Sequence, residues 1–92
     1  DVMCFTHRKG LIMAELNIVI KHTKTIAEFK SIYADMKEKA NRYFHEHCKA
    51  HGEWQNGEPV KVWRNTDGIL CIEYESGEWW HYQETDEGLQ WW

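Results

Sequence analysis

The chain lacks a long apolar run, a set of cysteines that could all pair, and any catalytic or cofactor-binding motif. Its longest apolar run, residues 11–20, is broken by polar residues, which excludes a membrane-spanning helix and a signal-peptide core. The three cysteines, Cys4, Cys48 and Cys71, lie far apart and cannot all pair, which argues against a disulfide framework. We therefore predict a reducing compartment, the cytoplasm, and no cofactor.

Positive charge is scarce in the second half of the chain. Residues up to Gly52 include nine Lys and Arg and six Asp and Glu, which gives a net charge of +3. Residues from Glu53 onward include two Lys and Arg and nine Asp and Glu, which gives a net charge of −7. Because nucleic acids are bound through Lys and Arg, this distribution argues against a nucleic-acid partner. The acidic half could attract a basic protein, or its carboxylates could simply keep a small domain soluble.

Three loops that end in glycine divide residues 60–92 into short apolar segments. Each loop has two polar residues followed by Gly68, Gly77 or Gly88. Glycine enters the left-handed region without steric cost, so this order is typical of a three-residue hairpin loop built on a type I turn. The pattern predicts an antiparallel meander.

The loop lengths determine which residues face each other across the predicted sheet. The expected pairs are Arg64 with Leu70, Val62 with Ile72, Val60 with Tyr74, Lys61 with Glu73, Trp63 with Cys71, Ile72 with Trp80, and Leu70 with Tyr82. Two registers stay open for the third loop. A three-residue loop directs Trp92 to the core, whereas a four-residue loop directs Leu89 and Trp91 there.

A short strand and a long helix are predicted ahead of the meander. Apolar and polar residues alternate over residues 15–22, as in a strand with one buried face. Thr25 and Glu28 form a capping box of the S/T-x-x-E type, and apolar residues then recur three and four positions apart. With Gly52 as its carboxy-terminal cap, the helix is predicted over about Ile26–His51.

These elements predict one α+β domain over residues 15–92, in keeping with the small size of the chain. One long helix packs on a four- to five-stranded, mainly antiparallel sheet in the order β-α-β-β-β(-β). Residues 1–14 are assigned to an amino-terminal extension that is either foreign to the natural chain or loosely ordered.

The predicted helix is longer than the sheet that it covers. At about 1.5 Å per residue it spans about 38 Å, whereas short strands reach about 20 Å. We expect the stripe around Tyr43, Phe44 and His47 to overhang the sheet. Its cover would be the amino-terminal segment, the loop that carries Trp54, or a second copy of the chain, which leaves a homodimer open.

Histidines near the end of the helix are the candidate metal ligands. His47, Cys48 and His51 are three and four positions apart, so they could share one helix face. No paired motif elsewhere in the sequence completes such a site. The alternative role is structural, because histidine near the carboxyl end of a helix opposes the helix dipole and cysteine packs as a small core residue. We predict no bound metal.

His81 is the candidate for acid–base chemistry, with Glu73 or Glu75 as its partner, as in a small RNA-cleaving protein. Such chemistry also needs groups that stabilise developing negative charge, and this half of the chain offers Lys61 and Arg64. Because no nucleophile and base can be paired from the sequence, we predict that the chain is not an enzyme.

Six tryptophans exceed what one core face of so small a domain can hold. The predicted register places several aromatic side chains on the sheet face opposite the helix, which either binds a partner or is covered by the amino-terminal residues. Trp is a strong interface anchor inside a polar rim, whereas a nucleobase-stacking surface would need a basic groove. The predicted binding surface consists of Trp63, Trp79, His81, Glu73, Glu75 and Lys61.

The sequence favours a small, intracellular, non-enzymatic binding protein that acts through an acidic, tryptophan-rich sheet face. It would be an inhibitor or accessory factor of the compact kind encoded on bacterial or phage mobile elements. A protein partner is expected, rather than nucleic acid or membrane. The alternative is a metal-binding or RNA-cleaving protein that uses His47 and His51, or His81.

Overall fold

A five-stranded sheet with one long helix on one face forms the part of the chain, residues 16–92, that the computed structural model describes. The elements are β1 (Asn17–Ile18), α1 (Ile26–His51), β2 (Pro59–Arg64), β3 (Leu70–Tyr74), β4 (Trp79–Thr85) and β5 (Gly88–Trp91). The strands lie in sequence order, with β1 parallel to β2 and the other neighbours antiparallel. The predicted α+β class is confirmed. The predicted extension, residues 1–14, lies outside the described residues.

Helix α1 has the predicted bounds because both of its ends are capped. The Thr25 hydroxyl accepts a hydrogen bond from the backbone N–H of Glu28 at 3.0 Å, and the Glu28 carboxylate accepts from the N–H of Lys24 at 2.8 Å. At the other end Gly52, at φ 92°, donates its N–H to the carbonyl oxygen of Cys48 at 3.1 Å.

The first two hairpin loops have the predicted three-residue form. Gly68 donates its N–H to the carbonyl oxygen of Asn65 at 2.9 Å, and Gly77 donates to that of Tyr74 at 2.8 Å. Both glycines have positive φ, 82° and 95°, as the type I turn with a left-handed residue requires. The predicted pairs Arg64–Leu70, Val62–Ile72, Lys61–Glu73, Trp63–Cys71, Ile72–Trp80 and Leu70–Tyr82 are confirmed.

The register differs from the prediction at the start of β2. Tyr74 pairs with Pro59, so the predicted pairing of Tyr74 with Val60 is wrong. The register shifts between Pro59 and Lys61, and Val60 is displaced from the ladder. Proline has no N–H to donate, which accounts for an irregular ladder at this position.

The third loop adopts the register that directs Leu89 and Trp91 to the core. Glu84 pairs with Leu89 and Tyr82 pairs with Trp91, which is the register of the four-residue alternative. Thr85 also pairs with Gly88, so the loop itself has two residues, Asp86 and Glu87, and is shorter than either predicted length. Leu89 and Trp91 are partly buried against the core cluster. The same register directs Trp92 to the opposite face.

Strand β1 is shorter than the alternation over residues 15–22 predicts. Its ladder covers Asn17–Ile18, and one further hydrogen bond joins the N–H of Val19 to the carbonyl oxygen of Val62 at 2.8 Å. Beyond it His22 takes a positive φ of 63°, and the chain turns towards α1. The predicted inward side chains do pack against the core; they are Leu16, Ile18 and Ile20.

The carboxyl-terminal half of α1, rather than its amino-terminal half, lies over the sheet. The buried residues of the whole helix begin at Met36, and all the others lie in this half; they are Met36, Ala40, Tyr43, Phe44, His47 and Cys48. The expectation that the stripe around Tyr43, Phe44 and His47 overhangs is therefore wrong. The predicted cover by the loop that carries Trp54 is confirmed, because the Trp54 ring contacts both Phe44 and His47. The amino-terminal half instead leaves Ile26, Phe29 and Tyr33 exposed at 75%, 40% and 37%. The short β1 gives this half little sheet to pack on.

The cysteines differ in their bonding state. Cys48 is disulfide-bonded, whereas Cys71 is a free, buried thiol. One bonded and one free cysteine agree with the observation that three cysteines cannot all pair. Disulfides are rare in reducing compartments, so the cysteines no longer favour a cytoplasmic location.

Gly57 fixes the loop between α1 and β2. Its carbonyl oxygen accepts from the Trp54 indole N–H at 2.6 Å, its φ is 80°, and a Cβ atom there would collide with the Glu75 side chain. We expect Gly57→Ala to lower the free energy of unfolding by about 2–4 kcal/mol, through backbone strain and overpacking. Gly68→Ala, at φ 82° with open space around it, should cost about 1–2 kcal/mol. If urea denaturation gives equal losses of unfolding free energy for Gly57→Ala and Gly68→Ala, the collision with Glu75 is contradicted.

Candidate functional site

The sheet face turned away from α1, called the outer face below, carries most of the predicted binding residues. Side chains alternate between the two faces of a strand, and the observed register sets which of them share a face. The outer face consists of Lys61, Trp63, Cys71, Glu73, Trp79, His81, Gln83, Gln90 and Trp92. The structure thus brings together five of the six predicted residues.

Four aromatic rings form a continuous row across the outer face. The ring centroids of Trp63 and Trp79 are 5.4 Å apart, and those of Trp79 and His81 are 5.0 Å apart. His81 then stacks on Trp92 with a centroid distance of 4.9 Å and an interplanar angle of 4°. These distances are typical of direct aromatic contact. The rings support one another, so the row is fixed in place before any ligand binds.

The row is accessible at two of its four members. Trp79 is 48% exposed and Trp92 is 52% exposed, whereas Trp63 and His81 are half-buried. Cys71, between Trp63 and His81 in the sheet, is fully buried, and burial raises the pKa of its thiol. A partner that reaches this face would therefore meet indole rings rather than a reactive thiolate.

Charged side chains flank the row of rings. The Lys61 ammonium lies 5.3 Å from the centroid of the Trp63 ring. Glu73 is the cross-strand neighbour of both Lys61 and Trp79, and no ion pair within residues 16–92 involves its carboxylate. The outer face thus combines one cation, one carboxylate and exposed aromatic surface.

Glu75 lies at the margin of the outer face rather than on it. Its carboxylate accepts the backbone N–H of Glu58 at 3.1 Å, and its own N–H donates to the carbonyl oxygen of Glu58 at the same distance. These bonds tie the β3–β4 loop to the loop that precedes β2. The structure therefore gives Glu75 a loop-fixing contact.

The predicted acid–base partners of His81 are not hydrogen-bonded to it. The Nδ1 atom of His81 lies 3.2 Å from the carbonyl oxygen of Trp92. Within residues 16–92 no hydrogen bond or ion pair joins His81 to Glu73 or Glu75. The imidazole instead packs between the rings of Trp79 and Trp92. Its described contacts are those of a surface aromatic ring.

A second aromatic cluster, called the cage below, surrounds His47 on the inner side of the sheet. His47 is 3% exposed, and its ring centroid lies 4.8 Å from that of Trp54, 4.9 Å from Trp80 and 4.4 Å from Trp91. The three indoles come from the loop after α1, from β4 and from β5. The helical periodicity placed His47 on the buried stripe, and the loop that carries Trp54 was among its predicted covers. The contacts of His47 with Trp80 and Trp91 were not predicted.

A chain of hydrogen bonds links the cage to the rest of the core. The Nδ1 atom of His47 lies 2.6 Å from the Tyr82 hydroxyl, which lies 2.6 Å from the Tyr74 hydroxyl. Burial raises the pKa values of both tyrosines, and they stay neutral. Burial, with a smaller contribution from His51, lowers the pKa of His47 from 6.5 to about 4. His47 is therefore neutral at physiological pH.

The candidate metal ligands do not converge on one point. His47 points into the cage, the sulfur of Cys48 is in a disulfide, and Nδ1 of His51 lies 2.9 Å from the carbonyl oxygen of Glu53. Among the described residues, no group of three or more His, Cys, Asp or Glu side chains is placed to hold a metal ion. A disulfide sulfur is not a thiolate ligand, so the predicted helix-face ligand set is broken at Cys48.

No known protein family, curated protein or solved structure matches this chain. Its function therefore has to be inferred from its two aromatic clusters. His47 at the centre of the cage is buried, whereas the outer face is accessible at Trp79 and Trp92. The outer face is the candidate site for a ligand.

Proposed function

We propose that this chain is a non-enzymatic protein-binding domain, an inhibitor or accessory factor, whose partner docks on the outer face. The observation that carries the proposal is the exposure of Trp79 and Trp92, which flank His81 in one row of rings. Contiguous aromatic surface of this kind is costly to leave in water and typically marks an interface.

The strands that carry the row favour tight association. Rings on paired strands are already ordered, so a partner that binds them loses little conformational entropy of the chain. Lys61, Glu73 and the exposed Gln83 surround the rings with polar groups. An aromatic centre within a polar rim is the usual composition of a protein–protein interface.

The charge distribution supports a protein partner over a nucleic acid. Residues from Glu53 onward, which include strands β2 to β5, carry a net charge of −7. This field repels phosphate backbones and attracts basic protein surfaces. The proposal includes no RNA-cleaving activity, because His81 packs as a ring between two indoles.

The location of the protein stays a prediction. Within the described residues, no helix combines the length and the apolar composition that crossing a membrane requires. The sequence predicts the cytoplasm, but the disulfide at Cys48 is more typical of an oxidising compartment. The free thiol of Cys71 does not discriminate between a reducing and an oxidising compartment, because it is buried.

Replacing Trp79 should abolish partner binding while leaving the fold intact. We expect Trp79→Ala to weaken binding at least about 30-fold, as for a central aromatic anchor, and to cost about 1 kcal/mol of stability, because the side chain is half exposed. Trp63 is a poorer choice, since it also lines a cleft with Ile20, Ile32 and Met36. Ile26→Ala, which removes an exposed apolar side chain from α1, is the matched control.

The measurement starts with proteins captured by the purified chain from extracts of the organism that encodes it. Each captured protein is then purified, and its affinity for the parent chain, Trp79→Ala and Ile26→Ala is determined by calorimetry. Circular dichroism and thermal melts verify folding. A partner that binds the parent and Trp79→Ala equally well would place the interface elsewhere and overturn the proposal.

A further inference from the structure

The outer face already holds one cation over an indole. The Lys61 ammonium lies 5.3 Å from the centroid of the Trp63 ring, within the range of a cation–π contact. The strand pairing places Lys61 beside Glu73 and Trp63 beside Cys71. This end of the aromatic row is therefore filled by the chain's own side chain.

The adjacent indole has the same surroundings but an open face. Trp79 is the cross-strand neighbour of Glu73, its ring contacts that of Trp63 at 5.4 Å, and it is 48% exposed. Among residues 16–92, no Lys or Arg side chain lies over the Trp79 ring. An indole beside a carboxylate is the environment that a guanidinium group recognises, because it can stack on the ring and donate to the carboxylate together.

The charge of the surrounding chain favours the same kind of ligand. The sheet-forming part, with its net charge of −7, raises the local concentration of basic segments and their association rate. The long cationic side chains of this part are Lys61, which is already over Trp63, and Arg64, which pairs with Asp35 at 3.6 Å. Both side chains are therefore engaged elsewhere, and the exposed ring of Trp79 can be contacted by a partner's cation.

We propose that the outer face binds a basic polypeptide segment and that one of its arginine side chains lies over the Trp79 indole beside the Glu73 carboxylate. This inference rests on the proposed function, because it names the chemistry of the partner that docks on the same face. Neighbouring parts of the segment extend along the row towards His81 and Trp92.

The test compares two peptides that differ only in whether they carry the charged guanidinium group. The probe is an acetylated, amidated peptide of alternating glycine and arginine, and its partner has citrulline in place of arginine, with the same shape and no charge. Binding is followed by NMR through the indole N–H signals. We expect the arginine peptide to bind at least about tenfold more tightly than the citrulline peptide, and less tightly as salt is raised.

Two carboxyl-to-amide variants locate the contact. Glu73→Gln should weaken binding of the arginine peptide about five- to tenfold, because a charge-assisted hydrogen bond is lost. Glu87→Gln removes the same charge from the exposed β4–β5 loop and should change the affinity less than about twofold, as expected for a screened, distant charge. Neither variant removes packed apolar surface, so both should fold.

The outcomes separate this inference from the proposed function. Equal binding of the two peptides, equal effects of the two variants, or stronger binding of single-stranded RNA would overturn the arginine assignment. If Trp79→Ala still abolishes binding of the captured partner in that case, the proposed function stands without it. If Trp79→Ala leaves that partner bound while the peptide results hold, the proposed function fails and the cation site remains.

Discussion

Tyr82→Phe is expected to lower the free energy of unfolding by about 2–4 kcal/mol, although it removes a single oxygen atom. The Tyr82 hydroxyl is the middle member of the hydrogen-bonded chain, 2.6 Å from both Nδ1 of His47 and the Tyr74 hydroxyl. Its loss leaves Nδ1 of His47 and the Tyr74 hydroxyl without this partner in the core. A buried polar group that loses its hydrogen bond destabilises the folded state by more than the net contribution of the bond itself.

Tyr43→Phe is the matched control for this experiment. It removes the same hydroxyl group, but the partner of Tyr43 is the carboxylate of Glu84, which is exposed and can bond to water instead. The control should therefore cost at most about 1 kcal/mol. Urea denaturation of the parent and both variants at pH 7 gives the comparison. Similar losses of unfolding free energy for Tyr82→Phe and Tyr43→Phe would contradict a larger contribution from the buried hydrogen bonds of Tyr82.

Acidification from pH 7 to pH 4 is expected to lower the free energy of unfolding by about 2–3 kcal/mol through His47 alone. Around its ring stand His51 on α1, Trp54, Tyr82 on β4 and Trp91 on β5, and none of these carries a negative charge in this pH range. A protonated His47 would find no counter-ion among them, so the folded state resists protonation.

The direction of the effect follows from the two pKa values of His47. Above pH 6.5 the imidazole is neutral in both the folded and the unfolded chain, and the full stability is present. Between pH 6.5 and about 4 the unfolded chain takes up a proton that the folded chain does not, so stability falls as the pH falls. Below about pH 4 both states are protonated, and His47 adds no further loss.

Comparison with His47→Gln isolates this contribution. The variant is expected to be less stable at pH 7, because glutamine fits the cage poorly, but to lose about 2–3 kcal/mol less than the parent between pH 7 and pH 4. Subtracting the two profiles removes the contribution of carboxylates such as Glu84, whose pKa is lowered mainly by the hydrogen bond from Tyr43. Parallel profiles would contradict the assignment to His47.

Local chemistry in the sequence determined much of the fold. The capping box at Thr25 and the glycines at the hairpin loops act within a few residues, and they predicted the helix bounds and the first two loops correctly. The displacement of Val60 also has a local cause, the missing N–H of Pro59, but loop length alone did not predict it. The end at which α1 overhangs depends instead on how distant segments pack, and in particular on how little sheet β1 supplies.

The candidate site was predictable where it depends on alternation alone. Trp63, Trp79 and His81 lie on the outer face because the first two loops fixed their register. Trp92 joins them through the third loop, whose length the sequence left open. The cage was predicted only in part: the loop that carries Trp54 was a predicted cover of His47, whereas Trp80 and Trp91 meet His47 only in the folded chain.

The exposed amino-terminal half of α1 makes the stability of the molecule uneven. The residues of α1 before Met36 have no fully buried side chain. This part of the helix is therefore stabilised mainly by its cap and its own backbone hydrogen bonds. Short helical segments without tertiary support are marginal in water. The first turns of the helix should therefore fray and reclose many times for each global unfolding event, and their amide hydrogens should exchange long before those near His47.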